Sequence, residues 1–259
     1  MVRRHEGTAF MAGAHVFPGG AVDPADHDAD DSWCDGMAAA AARLPGLSPD
    51  DAVAHHVAAA RELFEEAGLL LARDRRGDFV SLAGNEAHVR FAAYRRALHG
   101  GETPLRAIVE GEALRLALEP LIPFAHWVTP PVDTRRFDTR FFITRLPPEQ
   151  APVHDERETT GSTWLSAAAA LAAGHANEIV LPPPTWVTLR EIEPFVSVDA
   201  ALAWAAARRI VRREPVILDD KGRRLLVMPG DPLHPEPATE DAASETRFVL
   251  SNGRWVAEG

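Results

Sequence analysis

Three glutamates within five residues are the part of this sequence best suited to chemistry. Glu62, Glu65 and Glu66 are spaced by three and four residues, so a helix would place all three carboxylates on one face. Like charges at this spacing repel each other, and a hard divalent cation relieves the repulsion, since Mg²⁺ prefers carboxylate oxygens and keeps waters for substrate phosphates. Taken alone, this spacing is more typical of a solvated acidic helix face. The neighbouring residues therefore decide between a metal site and a solvated helix face.

Those neighbours complete a known motif. Residues Arg61–Leu69 (RELFEEAGL) fit the pattern R-E-U-x-E-E-x-G-U, in which U is a bulky apolar residue, at every specified position. This is the second half of the Nudix box, and Gly20 and Asp26 fit its first half, with Asp in place of the usual Glu. In the ordinary box a short gap separates the acid from the arginine, whereas here residues 27–60 intervene. The interrupted box resembles that of the peroxisomal coenzyme A diphosphatase branch of the Nudix hydrolases.

Other segments resemble the same branch in order and spacing over about residues 3–192. None is decisive alone, but together they make chance a poor explanation. They are Phe10–Gly13, Val16–Gly20, Trp127–Pro130, Arg135–Phe142, Glu158, Gly161, Trp164 and Leu181–Pro184.

The resemblance implies a role for each residue of the box. The implied metal ligands are Glu62, Glu65, Glu66 and Gly20, the last because its backbone passes close to metal or phosphate, where a side chain would clash. Arg61 would orient the loop and helix through Asp26. The implied cofactor is Mg²⁺, with Mn²⁺ as an alternative.

The general base has more than one candidate. Glu62 serves in some family members, and a later loop commonly adds a further carboxylate, for which Glu158 fits best and Glu156 and Asp155 are rivals. An exposed acidic loop is an equal alternative there. The implied reaction is attack of a metal-activated water on a phosphorus of the diphosphate.

The branch implies coenzyme A or acyl-CoA as substrate, split to phosphopantetheine, or its acyl form, and adenosine 3',5'-bisphosphate. A coenzyme A signature of related proteins is only partly present, because Arg4, Gly13 and the Phe-Pro-Gly-Gly are kept whereas His5 and Ala9 depart from it. ADP-ribose, NADH and dinucleoside polyphosphates remain open as substrates. So does a Nudix-fold binding module without turnover, although all three helix glutamates favour an enzyme.

Two further arginines are candidate phosphate contacts beside Arg4. Arg136 and Arg140 lie four residues apart on a predicted strand, hence on one face, and structural salt bridges are an equal alternative. Phe137, Phe141 and Trp164 are expected in the core rather than in base stacking. For the adjacent His55 and His56, surface or packing roles are expected.

Composition limits the other classes. The formal net charge is -11 and the chain has one cysteine, Cys34, which excludes an intramolecular disulfide and a cysteine-rich zinc site. The acidic balance argues against nucleic-acid binding, and no apolar run or leader indicates a membrane protein. We expect a cytoplasmic enzyme with a small-molecule nucleotide substrate. Little sequence precedes Arg4, so an uncovered sheet edge there would reduce solubility or invite a homodimer.

The expected fold is an α/β/α Nudix sandwich with a mixed sheet, a helical insertion and a small α+β C-terminal extension. We expect a Nudix domain over residues 1–194, with an insertion at about 27–50 that folds outward, and a packed extension over 195–259. Predicted helices cover 37–44, 50–68, 85–99, 167–173, 186–192 and 199–213. Residues 14–22 are predicted as a short strand that runs into a Pro-Gly-Gly turn. Predicted strands cover 134–146, 215–218 and 223–228, and a hairpin joins 247–250 to 254–257 through Asn252-Gly253.

Overall fold

The computed structural model describes residues 1–5, 12–132, 136–153, 159–237 and 245–258. Its helices are α1 (Met37–Arg43), α2 (Pro49–Ala67), α3 (Asn85–His99), α4 (Leu105–Gly111), α5 (Ala167–His175), α6 (Pro183–Ile192) and α7 (Val198–Ala207), with a short 3-10 helix at Pro24–His27. Its strands are β1 (Val2–Arg4), β2 (His15–Val16), β3 (Cys34–Asp35), β4 (Ala72–Arg73), β5 (Arg115–Ala117), β6 (Ile122–Val128), β7 (Asp138–Ile143), β8 (Thr159–Ser162), β9 (Arg212–Arg213), β10 (Val216–Asp220), β11 (Arg223–Val227), β12 (Arg247–Ser251) and β13 (Arg254–Ala257).

The chain clusters into two compact units. The first comprises Met1–Thr8, Phe17–Ile122 and Ile143–Thr163, and the second comprises Ala9–Val16, Pro123–Phe142 and Trp164–Gly259. The first unit contains the three glutamates. The division at about residue 194 expected from the sequence is a different partition, and it stays a prediction.

Helix α2 begins and ends at the residues that its sequence indicates. The Ser48 hydroxyl accepts a hydrogen bond from the Asp51 backbone N–H at 3.1 Å, which satisfies one of the free donors at the helix start. Gly68 ends the helix with a left-handed φ of 70°, a conformation that glycine adopts without steric cost. The apolar positions that step by three and four face the core, and they are Val53, Val57, Ala60, Phe64 and Ala67.

The insertion between Asp26 and Arg61 packs into the first unit instead of folding outward. Trp33 is 1% exposed and Ala40 of α1 is fully buried, and α1 packs against α2. Strand β3 also pairs in parallel with β5, placing Cys34 opposite Leu116. The expected outward excursion is therefore wrong, because the apolar residues of the insertion fill the core and their burial stabilises the fold.

The sheet of the first unit is mixed. Its strand order is β3-β5-β4, with β3 parallel and β4 antiparallel to β5. The residues that surround this sheet are among the most buried in the chain, including Leu70, Leu71 and Leu116, each with no exposed surface. In the same unit, β1 pairs antiparallel with β8.

The second unit combines two sheets with helices. The order β7-β6-β9 has β9 parallel to β6, and β10 to β13 form an antiparallel meander. The predicted terminal hairpin is confirmed: Asn252 and Gly253 have φ of 49° and 75°, and positive values at both positions are what a type I′ turn requires. Gly174 of α5 lies close to the segment that precedes α6, since a Cβ on Gly174 would lie 2.7 Å from a Leu181 methyl carbon.

Two predicted elements are shorter in the structure. The strand expected over 134–146 is Asp138–Ile143 among the described residues, whereas the short strand expected before the Pro-Gly-Gly turn is present as His15–Val16. The helix expected over 199–213 stops at Ala207, because Arg208 takes an extended conformation and Arg212–Arg213 forms β9. Two β-branched residues, at 210 and 211, favour this change from helix to strand.

Candidate active site

A buried ion pair joins the two halves of the interrupted motif. Arg61 donates from Nε to Asp26 Oδ1 at 3.0 Å and from Nη2 to Asp26 Oδ2 at 2.9 Å. The two side chains are 8% and 2% exposed. A bidentate ion pair of this kind fixes both the position and the orientation of the guanidinium. The loop that contains Asp26 is therefore anchored to α2 despite the 34 residues between the partners.

Arg61 also contacts the glutamate face, the side of α2 that carries Glu62, Glu65 and Glu66. Nη1 donates to Glu62 Oε1 at 2.8 Å and to Glu65 Oε2 at 3.2 Å, and Nη2 donates to the Ala21 carbonyl at 2.8 Å. Burial lowers the pKa of Arg61, but hydrogen bonds and charges from Asp26 and Glu62 outweigh it and raise the pKa above its ordinary value. Arg61 thus stays charged and offsets the repulsion among the carboxylates.

The Gly19-Gly20 loop lies directly against the glutamates. The Gly19 N–H donates to Glu66 Oε2 at 3.0 Å. A Cβ on Gly20 would lie 2.2 Å from Glu62 Oε1, closer than any real contact allows. Close approach to a carboxylate is therefore what requires glycine at position 20.

Glu65 is the glutamate whose protonation is most perturbed. Burial raises the pKa of the Glu65 carboxyl to about 7, and the charges of Glu62 and Asp23 add to this against the opposing charge of Arg61. A carboxyl with this pKa holds a proton for part of the time near neutral pH. A cation bound here would displace that proton.

The donor chemistry of the glutamate face fits a hard divalent cation. Carboxylate oxygens are the ligands that Mg²⁺ prefers, and the hydrogen bond from Gly19 fixes the buried Glu66 carboxylate. Within the described ranges, no group of three or more His, Cys, Asp or Glu side chains is gathered closely enough to hold an ion. Glu62 and Glu65 are turned toward Arg61 instead. The residues that would hold a cation are thus Glu62, Glu65 and Glu66, of which the first two form ion pairs with Arg61 in this structure.

Other predicted site residues lie elsewhere or cannot be placed. Glu158 and its rivals Glu156 and Asp155 fall outside the described residues. Arg4 lies on β1, with Thr159 of β8 as its Cα partner. Its Nε atom is buried and has no hydrogen-bond partner in the part of the chain that is described.

The two candidate phosphate arginines of the second unit both form ion pairs. Arg136 precedes β7 and pairs with Glu214, and Arg140 of β7 pairs with Asp138. Burial and the charge of Arg212 lower the pKa of Arg140. The salt-bridge alternative therefore describes the observed contacts of both arginines.

The aromatic residues do not all behave as expected. Trp164 is 67% exposed and Phe137 is 36% exposed, so the expected core position is wrong for both. Trp164 lies between β8 and the Ser166 cap of α5, in a connecting segment, and such segments run over the surface.

The adjacent histidines agree with the expected roles, since His56 packs in the core and His55 lies partly at the surface. His56 is fully buried in α2, with its Nδ1 at 2.8 Å from the Ala52 carbonyl oxygen. Burial lowers the pKa of His56 to about 4. His55 is partly exposed, and its Nδ1 lies 2.7 Å from the Asp51 carbonyl oxygen.

Two contributors to the site were missed by the sequence analysis. Asp23 Oδ2 lies 3.5 Å from Arg61 Nη2, and the Asp23 N–H donates to Asp26 Oδ2 at 2.8 Å. The spacing of Asp23 and Asp26 at the start of a short helix is a capping pattern and could have indicated this contact. Arg95, which lies on α3, donates to the Glu65 carbonyl at 2.6 Å. No local sequence pattern predicts this contact between two helices.

Comparison with known proteins decides the family. The family model described as NUDT19 Nudix domain matches residues 42–192, more than half of the chain. The chain belongs to the Nudix family. The match includes the glutamate helix α2 and begins after Asp26, so the Asp26–Arg61 contact is what ties the first half of the Nudix box to the matched region.

Named relatives agree with this Nudix assignment. Acyl-coenzyme A diphosphatase NUDT19 of Homo sapiens is 30% identical over 274 residues, covering 91% of this chain and 72% of that protein. Acyl-coenzyme A diphosphatase NUDT19 of Xenopus laevis is 24% identical, covering 99% of this chain and 76% of that protein. A NUDIX hydrolase from Alicyclobacillus acidocaldarius has a similar crystal structure, with a TM-score of 0.62, 27% identity and coverage of 78% of this chain and 86% of that one.

The sequence interpretation is confirmed at the level of fold and class. The chain has an α/β Nudix fold, it belongs to the coenzyme A diphosphatase branch, and it is a Nudix hydrolase. The alternative of a binding module without turnover is set aside. Nudix hydrolases generally use divalent metal ions. Among the helices of the described residues, none is both long and apolar enough to cross a membrane.

Proposed function

We propose that this Nudix hydrolase cleaves the diphosphate linkage of coenzyme A or acyl-CoA with Mg²⁺ as cofactor. The products are phosphopantetheine, or its acyl form, and adenosine 3',5'-bisphosphate. The substrate class is supported by the relatives that carry the name acyl-coenzyme A diphosphatase across most of this chain's length. ADP-ribose, NADH and dinucleoside polyphosphates are the competing substrates.

The observation that carries the catalytic part is the Asp26–Arg61 pair. It brings the Gly19-Gly20 loop onto the glutamate face although the Nudix box is interrupted. Together with the Gly19 N–H bond to Glu66 and the Arg61 bond to the Ala21 carbonyl, this pair fixes the loop relative to the three glutamates. One compact site therefore contains the carboxylates, the glycine backbone and the buried Arg61 guanidinium.

In this proposal Glu62, Glu65, Glu66 and the Gly20 backbone hold Mg²⁺, and Mn²⁺ is an alternative. The bound ion supplies a more acidic water and offsets negative charge on the diphosphate. Arg61 maintains the geometry, since it touches Asp26, Glu62 and Glu65 at once. Either Glu62 or Glu158 accepts the proton of the attacking water.

The arginines are proposed to bind substrate phosphates. Arg4 has a buried donor atom that lacks a partner among the described residues, which suits an anionic ligand. Arg136 and Arg140 can bind phosphate only in competition with Glu214 and Asp138, with which they pair. Arg4 is therefore the stronger candidate of the three.

Product analysis on a substrate panel tests the proposal. The protein is incubated with Mg²⁺ and CoA, acetyl-CoA, ADP-ribose, NADH or diadenosine polyphosphates, and products are separated by ion-exchange chromatography. Glu65→Gln removes a proposed ligand at nearly constant shape. Glu86→Gln is the matched control, because Glu86 is exposed in the first turn of α3.

We expect adenosine 3',5'-bisphosphate from CoA and acetyl-CoA with the parent and Glu86→Gln, and little product with Glu65→Gln. Preferred turnover of another panel member would contradict the CoA assignment while leaving the catalytic site intact. Equal turnover by Glu65→Gln would contradict the proposed metal site.

A further inference from the structure

The last turn of α2 carries two of the three glutamates and needs outside support. Helix α2 ends at Ala67, two residues after Glu65. An α-helix leaves its last four carbonyl groups without partners inside the helix, so this turn frays most readily. The Gly68 N–H donates to the Phe64 carbonyl at 3.0 Å, which satisfies one of them. The carbonyls of Glu65 and Ala67 are satisfied by groups from other segments.

Arg95 of α3 supplies one of these donors. Its Nε–H donates to the Glu65 carbonyl oxygen at 2.6 Å. The Val153 N–H donates to the Ala67 carbonyl at 2.9 Å. A positive charge at the C-terminal end of a helix also interacts favourably with the helix dipole. The turn is thus held from two directions by residues distant in sequence.

The packing of α3 on α2 fixes where Arg95 lies. Phe91 precedes Arg95 by four residues and shares its face of α3, and its ring meets that of Phe64 edge-to-face, with centroids 6.5 Å apart. Gly68 leaves room for the guanidinium, since a Cβ there would lie 3.3 Å from Arg95 Nη1. Gly68 therefore serves both the helix end and the approach of Arg95.

We propose that Arg95 is a positioning residue for catalysis, which fixes the Glu65 carbonyl and so the direction from which the Glu65 and Glu66 side chains reach the metal ion. This role rests on the proposed function. Arg95 acts through the main chain of α2, not through contact with the substrate. Its removal leaves a helix whose last turn moves, and the geometry of the metal ligands loosens with it.

The test uses the full chain with Arg95→Ala, Arg95→Lys and the control Arg96→Ala. Arg96 is the next residue of the same helix and is exposed, so the control makes the same change of charge at the surface. Mn²⁺ affinity is measured without substrate by electron paramagnetic resonance, and kcat and KM are measured with acetyl-CoA and Mg²⁺. Hydrogen exchange of the amides over residues 63–69 reports the last turn directly.

We expect Arg95→Ala to weaken Mn²⁺ binding and lower kcat, each about tenfold, as is typical when a residue that orients metal ligands is lost. KM should stay near the parent value, and the 63–69 amides should exchange faster. Arg95→Lys should recover part of both losses because it keeps the charge but lacks the fixed Nε–H. Arg96→Ala should match the parent.

Mn²⁺ affinity and kcat equal to those of the parent in folded Arg95→Ala would overturn the proposal. If the unfolding midpoint of that variant falls while Mn²⁺ affinity and kcat are unchanged, the role of Arg95 is purely structural and the proposal is also overturned. If Arg95→Ala does not fold, Arg95→Lys and Arg95→Gln carry the same comparison. Failure of the parent to cleave acetyl-CoA would contradict the proposed substrate only, since the Mn²⁺ measurement still decides the role of Arg95.

Discussion

Replacing Asp26 by Asn tests the ion pair that closes the interrupted motif. The change keeps the size of the side chain but removes its charge, and it presents an amide donor to Arg61. Asp26 accepts from two guanidinium nitrogens and from the Asp23 backbone N–H, and its side chain is 2% exposed. An Asn amide cannot accept all three bonds, because only its oxygen is an acceptor.

The expected loss follows from burial. Breaking a buried ion pair by removing one partner costs about 3–5 kcal/mol. Arg61 keeps Glu62, Glu65 and the Ala21 carbonyl as partners, so we expect the lower end, about 3 kcal/mol in the free energy of unfolding. With a urea dependence of about 3 kcal/mol per molar, the unfolding midpoint should fall by about 1 M.

Urea unfolding followed by circular dichroism measures this change, with kcat measured alongside. Asp23→Asn is the matched control, because Asp23 Oδ2 is 3.5 Å from the same guanidinium but its side chain is 57% exposed. An exposed pair of this kind is worth about 0–1 kcal/mol. Similar midpoints for Asp26→Asn and Asp23→Asn would refute the argument that the buried pair anchors the loop.

Two further predictions concern close packing and pH. Gly20→Ala should lower kcat at least about tenfold, because its Cβ would lie 2.2 Å from Glu62 Oε1, whereas Gly111→Ala meets nothing within 4 Å and should retain parent kcat in the same assay. His56 has a pKa of about 4 in the folded chain against the ordinary 6.5, so the unfolded chain binds the proton first as the pH falls. The stability that neutral His56 gives is therefore present above pH 6.5 and is lower by roughly 2 kcal/mol at pH 5. Between pH 7 and pH 5, the free energy of unfolding measured in urea should fall by roughly 2 kcal/mol more in the parent than in His56→Gln, since the raised pKa of Glu65, which acts in the opposite direction, is common to both.

Local signals explain how much of the site the sequence could predict. Ser48, the three-and-four spacing of apolar residues and Gly68 define α2 within a residue, because capping and periodicity act over a few positions. Asn252-Gly253 likewise defines the terminal hairpin, since the turn requires positive φ at both residues. The Asp26–Arg61 contact was implied by the Nudix motif and is confirmed at 2.9 Å.

Contacts between distant segments explain the rest. Trp33 and β3 of the insertion join the core because β3 pairs with β5, in which Leu116 lies 82 residues after its partner Cys34. The Arg115–Asp35 ion pair joins the same two strands. Arg95 reaches the Glu65 carbonyl through the packing of two helices, which no local pattern encodes. Trp164 is exposed because its connecting segment runs over the surface, although an aromatic residue favours burial in general.

The most direct test of the central claim is release of adenosine 3',5'-bisphosphate from acetyl-CoA, measured with Mg²⁺ and with EDTA. We predict equal amounts of this product and acetylated phosphopantetheine with Mg²⁺, almost none with EDTA, and almost none with Glu65→Gln. Release that continues unchanged in EDTA, or intact acetyl-CoA after prolonged incubation of folded protein with Mg²⁺, would contradict the account.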